Sequence, residues 1–252
     1  MPKTPEQTAG EMKLYRNRSA LMQGLVLQVS RGYVYYVAGQ VPASKALRVA
    51  AKFHQNYGAL ASPQARQAAR RRGRDQPISR LFMHPADDGV SYDWWILAPR
   101  PLQGETMLDA RDRRQRIKVA ERYEIVLRPR PGSPKAWTWQ LVRDEKEALE
   151  AAVERDAKRR DAYAIQELIS RLTNMPMFSG VRSDVAALIR LADQTWKRHH
   201  RGAATYVQRL IRGSGRANTL TLPRELPVMR RISSYDDPPT TLAQDVRHRL
   251  DR

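Results

Sequence analysis

Between Tyr33 and Gly58 the side-chain period changes from two to nearly four, which limits the chain to folds in which a strand runs straight into a helix. In "GYVYYVAGQVP", Tyr33, Tyr35 and Val37 fall on one side and Val34 and Tyr36 on the other, as pleated backbone requires. "ASKALRVAAKFHQNYG" then sets Leu47, Ala50, Ala51, Phe53 and His54 near a common stripe, with Ser44 as a cap and Gly58 as a stop. Upstream, "LVLQVS" keeps the β-branched composition, so Leu25 to Pro42 reads as one or two strands.

Further along, "ISRLFMH" and "VSYDWWILAP" read as a hairpin around a Pro-Ala-Asp-Asp-Gly turn. "LDARDRRQRIKVA" reads as a helical link, and "ERYEIVLRPRPGSPKAWTWQLV" as a second hairpin turning within 129–134, with Trp137, Trp139 and Leu141 on one face. The order β-α-β-β predicts an α+β fold: a ferredoxin-like or related antiparallel sheet domain, joined to a basic C-terminal helical unit. That unit begins with a helix from 143, broken near Arg160 or Asp161. It continues after "NMPMFSG" with a helix repeating Val181, Val185, Leu188, Ala192 and Trp196 at spacings of three to four. The pair fits either a helix-turn-helix or a hairpin packed on a sheet, and the connection containing Pro176 is longer than the tight turn of the former. The expected divisions are a flexible leader over 1–12, a basic α+β sheet domain over 13–142, the helical unit over 143–212, and an extended C-terminal arm over 213–252 ending in a short helix after Thr241.

Charge narrows the partners. Lys and Arg number 45 against 26 Asp and Glu, a formal +19. From Lys13 through Arg80 thirteen basic residues meet one acid, Asp75, and residues 171–220 carry nine against two. A field of that sign attracts polyanions, and guanidinium groups suit bidentate phosphate and base-edge contacts. Nucleic acid is therefore the expected partner, RNA or DNA, and a protein complex with an acidic partner is the alternative. "SPQARQAARRRGRDQP" concentrates Arg66, Arg70, Arg71, Arg72 and Arg74. With Arg16 and Arg18 before them and Arg182, Arg190, Lys197, Arg198 and Arg201 after, these are the candidate phosphate contacts. Tyr35, Tyr36, Trp94 and Trp95 are candidates for stacking unpaired bases, with core packing as the other reading. Adjacent aromatics on a strand face opposite ways, so one of each pair must meet a second layer, a partner or solvent.

Catalytic signatures are sparse. The chain has no Cys, so no thiolate site or disulfide forms. No HExxH, Walker or GxGxxG string occurs, and neither a metal site nor a cofactor is expected. A metal-independent endoribonuclease needs a base, an acid and a cation at the phosphate, for which Tyr35, His54, His84 and Arg31 are the candidates, with Arg72 or Arg74 as further cations. No run of eighteen apolar residues suggests a membrane span, and a cytoplasmic protein is expected.

"YVYYVAGQVPASKALRVAAKFHQNYG", the arginine cluster after it and "MFSGVRSDVAALIRLADQTWKR" together resemble basic, poorly characterised proteins encoded by bacterial plasmids and integrating elements. The β-α-β-β order with its basic stretches also resembles the RNA-processing proteins of CRISPR systems. Their C-terminal glycine-rich loop has only "RGSGRA" as its counterpart here. The first resemblance implies a nucleic-acid-binding accessory protein of a bacterial mobile element or RNA-guided system, and the second the alternative, a metal-independent CRISPR-type RNA-processing endoribonuclease.

Overall fold

The computed structural model describes residues 3–71, 79–130, 132–159, 161–199, 223, 226–227 and 233–251. The chain is a mixed α+β protein that divides into two compact units, Met1–Ile117 with Arg231–Arg252, and Lys118–Arg230. The break at 117/118 lies upstream of the expected one at 142/143, because the second hairpin pairs with its own short strand and not with the first sheet.

The first unit holds a four-stranded antiparallel sheet in the order β2-β3-β1-β4, from β1 (Tyr35–Pro42), β2 (Arg80–Pro85), β3 (Ser91–Ala98) and β4 (Leu108–Asp109). β3 pairs antiparallel with both β1 and β2, so those two run parallel. They are joined through α3 (Ala43–Tyr57) and α4 (Pro63–Arg71). α3 ends where Gly58 takes φ +64, a left-handed cap that lets its N–H reach back to the carbonyls of the last turn.

Register decides which side chains share a face. Val37, Ile96 and Leu81 lie in one cross-strand row, and Gly39, Trp94 and Met83 in the next. This face packs on Ala46, Ala50 and Phe53 of α3, and on Ala9 and Met12 near α1 (Pro5–Gly10). The opposite face carries Tyr36, Ala38 and Gln40 of β1, Trp95, Leu97 and Asp93 of β3, and Arg80, Phe82 and His84 of β2. α2 (Arg18–Ser30) packs against β2 and buries Leu21, Met22, Leu25 and Val29. Helices thus lie on both faces, which answers the paired aromatics: Trp95 is buried and Trp94 half-buried, while Ala38 and Gln40 of β1 stay exposed.

Three sequence expectations are corrected. Leu25–Ser30 is helix, not strand: Asn17 Oδ1 caps the helix by accepting from Ala20 N at 2.9 Å, and the buried residues recur at helical spacing. Residues 3–12 are not a flexible leader, since Thr4 and Gln7 form a capping box on α1 and Ala9 is fully buried. "LDARDRRQRIKVA" is not helical. Asp109 and Asp112 accept from the backbone N–H of Arg111 and Arg114, both at 2.9 Å, and these local bonds fold the segment into turns.

The C-terminal stretch returns to the first unit. Leu14 N donates to Thr240 O at 3.0 Å, and Leu242 N to Met12 O at 2.8 Å. Thr241 caps α8 (Leu242–Leu250), which buries Leu242 and Val246 against α1 and α3. Residues 213–222 of the expected arm lie outside the described residues.

In the second unit β5 (Lys118–Val119), β6 (Tyr123–Arg130) and β7 (Ser133–Leu141) form a meander. α5 (Arg143–Lys158), α6 (Ala162–Thr173) and α7 (Ser179–His199) follow. α7 rests on β7 and α5, burying Val181, Val185, Leu188, Ala192 and Trp196. Its first turn touches the sheet: Gly180 N donates to Thr138 Oγ1 at 3.2 Å. One turn on, the buried Asp184 accepts from Leu141 N at 3.1 Å and stands 3.4 Å from Arg128 and 4.0 Å from Lys146. These contacts fix which face of α7 points outward.

Candidate nucleic-acid interface

α7 presents the exposed Arg182, Arg190 and Arg198, and none has a carboxylate partner among the described residues. Arg182 and Arg190 line one groove of about 700 Å³ with Ser179, Ser183, Ile189 and Pro223. Eight residues separate the two arginines, about 12 Å of helix at ~1.5 Å per residue. Lys197 differs, because Asp193 one turn back holds its ammonium at 2.7 Å. Arg201 lies outside the described residues.

In the first unit α4 opens where Ser62 Oγ accepts from Ala65 N at 3.1 Å, and it carries Arg66, Arg70 and Arg71. Arg71 is exposed, and Arg66 is half-buried against a cavity of about 420 Å³. Arg72 and Arg74 lie outside the described residues. Lys13, Tyr15, Gln28, Arg80 and Tyr235 line the same cavity. Tyr15 stacks on Phe82 at 5.7 Å and meets Tyr235 at 5.3 Å, and the Lys13 ammonium stands 5.8 Å from the Tyr235 ring centroid. Burial, then Tyr235 beside it, push the Tyr15 hydroxyl up, so it is a neutral donor at physiological pH.

Two of the expected phosphate contacts are already engaged. Arg18 donates to Asp87 at 2.5 Å, and Arg16 lies 3.7 Å from Asp236. Both are exposed or half-exposed pairs, which hold little energy but lower the local positive field.

The aromatic candidates are corrected where they are buried. Tyr36 is 4% exposed with its hydroxyl donating to Arg116 O at 3.0 Å, and Trp95 is 5% exposed, so neither offers a ring face to a base. Trp94 is half-buried over Gly39 and 5.0 Å from Phe53. Tyr35 is half-buried, and its hydroxyl accepts from Arg111 Nη2 at 2.8 Å with the guanidinium over the ring.

The four candidate catalytic residues do not all lie on one side of the sheet. Tyr35 shares the α3 face of the sheet with Val37, whereas His84 lies on the α2 face in register with Asp93 and Gln40. Five residues of β1 separate Tyr35 from Gln40, roughly 17 Å at ~3.4 Å each. His54 sits on α3, beyond the other face, and Arg31 is exposed at the end of α2. Burial lowers both histidines, so neither is charged at neutral pH.

Gln40, Asp93 and His84 form a polar row across the sheet beside Arg18 that the sequence reading did not single out. Burial raises the Asp93 carboxyl, with Asp87 adding to it and Arg18 opposing. Arg80, Lys13, Tyr15, Gln28 and Tyr235 were likewise missed. For Arg80 the signal was present: it alternates with Phe82 and His84, which places a cation on a face otherwise meant to be buried. Among the described residues no group of three or more His, Asp or Glu is arranged to hold a metal, and no helix is long and apolar enough to cross a membrane.

Compared with known proteins, the chain matches no family model, no curated protein and no solved structure.

Proposed function

We propose that this protein binds nucleic acid without cleaving it, as an accessory factor that grips the phosphate backbone through arginines. The observation that carries the proposal is Arg182 and Arg190: two exposed guanidinium groups on one groove, on a helix whose opposite face is fixed by Asp184 and Trp196. A helix already fixed on its scaffold need not be ordered on docking, and its arginines release condensed counterions from the polyanion. α4 offers a second basic element with Arg66, Arg70 and Arg71, and the overall +19 supplies the steering field. Against cleavage, His84 stands on the face of the sheet opposite Tyr35 and His54, so the candidate acids and bases do not form one set.

At the level of fold we read the first unit as a variant of the ferredoxin-like arrangement. β1, α3 and β2 make a split β-α-β with β3 between the parallel strands. The second helix of that arrangement has no counterpart over 99–107.

The test replaces Arg182 and Arg190 with Gln and measures binding to a labelled duplex between 50 and 200 mM salt. Two lost phosphate contacts reduce the log–log salt slope by about 1.8, so the variant loses roughly 12-fold less affinity than wild type over that range. An unchanged slope with intact folding would remove α7 from the interface.

A further inference from the structure

We infer that the 420 Å³ cavity of the first unit is a pocket for one unpaired nucleotide, phosphate toward Arg80, Lys13 and Arg66, base against the tyrosine wall of Tyr15 and Tyr235. The inference rests on the nucleic-acid reading above and names the part of the strand this site takes.

Arg80 carries the argument. It is half-buried, its Nε is shut off from solvent with no hydrogen-bond partner, and no carboxylate pairs with it among the described residues. A guanidinium N–H shut off from water without an acceptor is costly, and an acceptor on a ligand would relieve that cost. The acid in the cavity wall, Glu11, is already held by Lys3 at 2.5 and 2.7 Å. Arg80 and Lys13 therefore face a space whose nearby carboxylate is spoken for, and the fitting ligand is an anion.

The rest of the wall says what kind of anion. Tyr15 is pressed so closely on α2 that a Cβ at Gly24 would stand 2.6 Å from its hydroxyl, so the ring is held in place by the fold. With Phe82 and Tyr235 it makes an aromatic wall suited to a heteroaromatic ring. Gln28 is 8% exposed and its Oε1 has no hydrogen-bond partner. A nucleobase edge offers an N–H to that carbonyl and an acceptor to the Arg80 Nε–H, once side-chain torsions turn both groups inward. A volume of about 420 Å³ lies within the usual range for small-ligand sites. A base within a duplex cannot enter, so the pocket selects unpaired strands or ends.

The experiment is calorimetric titration of the full chain with the four nucleoside 5′-monophosphates, alongside ribose 5-phosphate, inorganic phosphate and the parent nucleosides. A single-stranded oligonucleotide is titrated into the same preparation. The expected result is one mononucleotide per chain, at least tenfold weaker for Arg80→Gln and for Lys13→Gln, with ribose 5-phosphate and the nucleosides each at least tenfold weaker than the matching nucleotide. Lys13 is exposed, so its variant keeps the test open should Arg80→Gln fail to fold. Inorganic phosphate or ribose 5-phosphate binding as tightly as the nucleotides overturns the inference in favour of a plain anion site. Oligonucleotide binding with no mononucleotide binding overturns the pocket but leaves the wider function standing. Mononucleotide binding with no oligonucleotide binding at low salt overturns both the strand reading and the inference built on it.

Discussion

Gly180→Ala tests whether α7 is held where its arginines form a shared groove. A Cβ at this position would lie 2.3 Å from Trp139 O, 3.0 Å from Trp139 C and 3.2 Å from Thr138 Cγ2. Ordinary C···O approaches are about 3.3 Å or more, so the helix and β7 must part by roughly 1 Å. The strand cannot yield cheaply, because Trp139 is fully buried and paired with Ile125 of β6. Overpacking of this kind costs about 1–3 kcal/mol. Separation also weakens the bonds that Ser179 Oγ and Gly180 N donate to Thr138 Oγ1, at 2.9 and 3.2 Å, each worth ~1 kcal/mol. Better helix propensity of Ala over Gly returns about 1 kcal/mol. The net is a loss of about 2 kcal/mol, which lowers hydrogen-exchange protection of α7 and β7 amides by roughly 30-fold. Gly10→Ala is the control, since its Cβ meets only Ala243 Cβ at 3.4 Å, an ordinary contact, and protection should stay level or rise slightly. Equal protection in Gly180→Ala and wild type would refute the close approach on which α7's placement depends.

Other perturbations probe the remaining links. Asp184→Ala strands the buried Leu141 N–H and should destabilise the second unit by about 2 kcal/mol in denaturant titration, while Asp184→Asn, which keeps an acceptor, loses less. Asp93 has a raised folded-state pKa, so its contribution is present below the unfolded value of 3.8 and lost as pH rises through the folded one. Asp93→Asn should therefore raise the melting temperature at pH 7, and the gain should vanish toward pH 3. His84 is lowered by burial, and its contribution is present above 6.5 and lost as pH falls through the folded value. His84→Gln should flatten that part of the stability profile, whereas an unchanged acid limb would remove His84 as its source.

What the sequence disclosed follows from the range of the forces involved. Both hairpins were legible because alternation and turn residues such as Asp87, Asp88 and Gly89 act locally, and the paired registers bear this out. The break between α5 and α6 was legible for the same reason: Asp161 caps its own helix by accepting from Ala164 N. "LVLQV" misled because an apolar, β-branched run looks alike in a strand and in a helix buried against a sheet. The short segment around Asp109 and Asp112 misled because helical composition lost to side-chain bonds with the backbone. The exposed arginines of α7 could be assigned from its buried stripe alone. The cavity could not, since Lys13, Gln28, Arg80 and Tyr235 meet only after the C-terminal stretch closes on residues 12–16.

The most direct test of the central claim is equilibrium binding of the full chain to labelled single-stranded and duplex DNA and RNA, titrated from 50 to 200 mM salt. Measurable binding is expected at low salt, falling linearly on a log–log plot, with tighter binding to unpaired strands than to duplexes of equal length. Absence of binding to all four at 50 mM salt would contradict it.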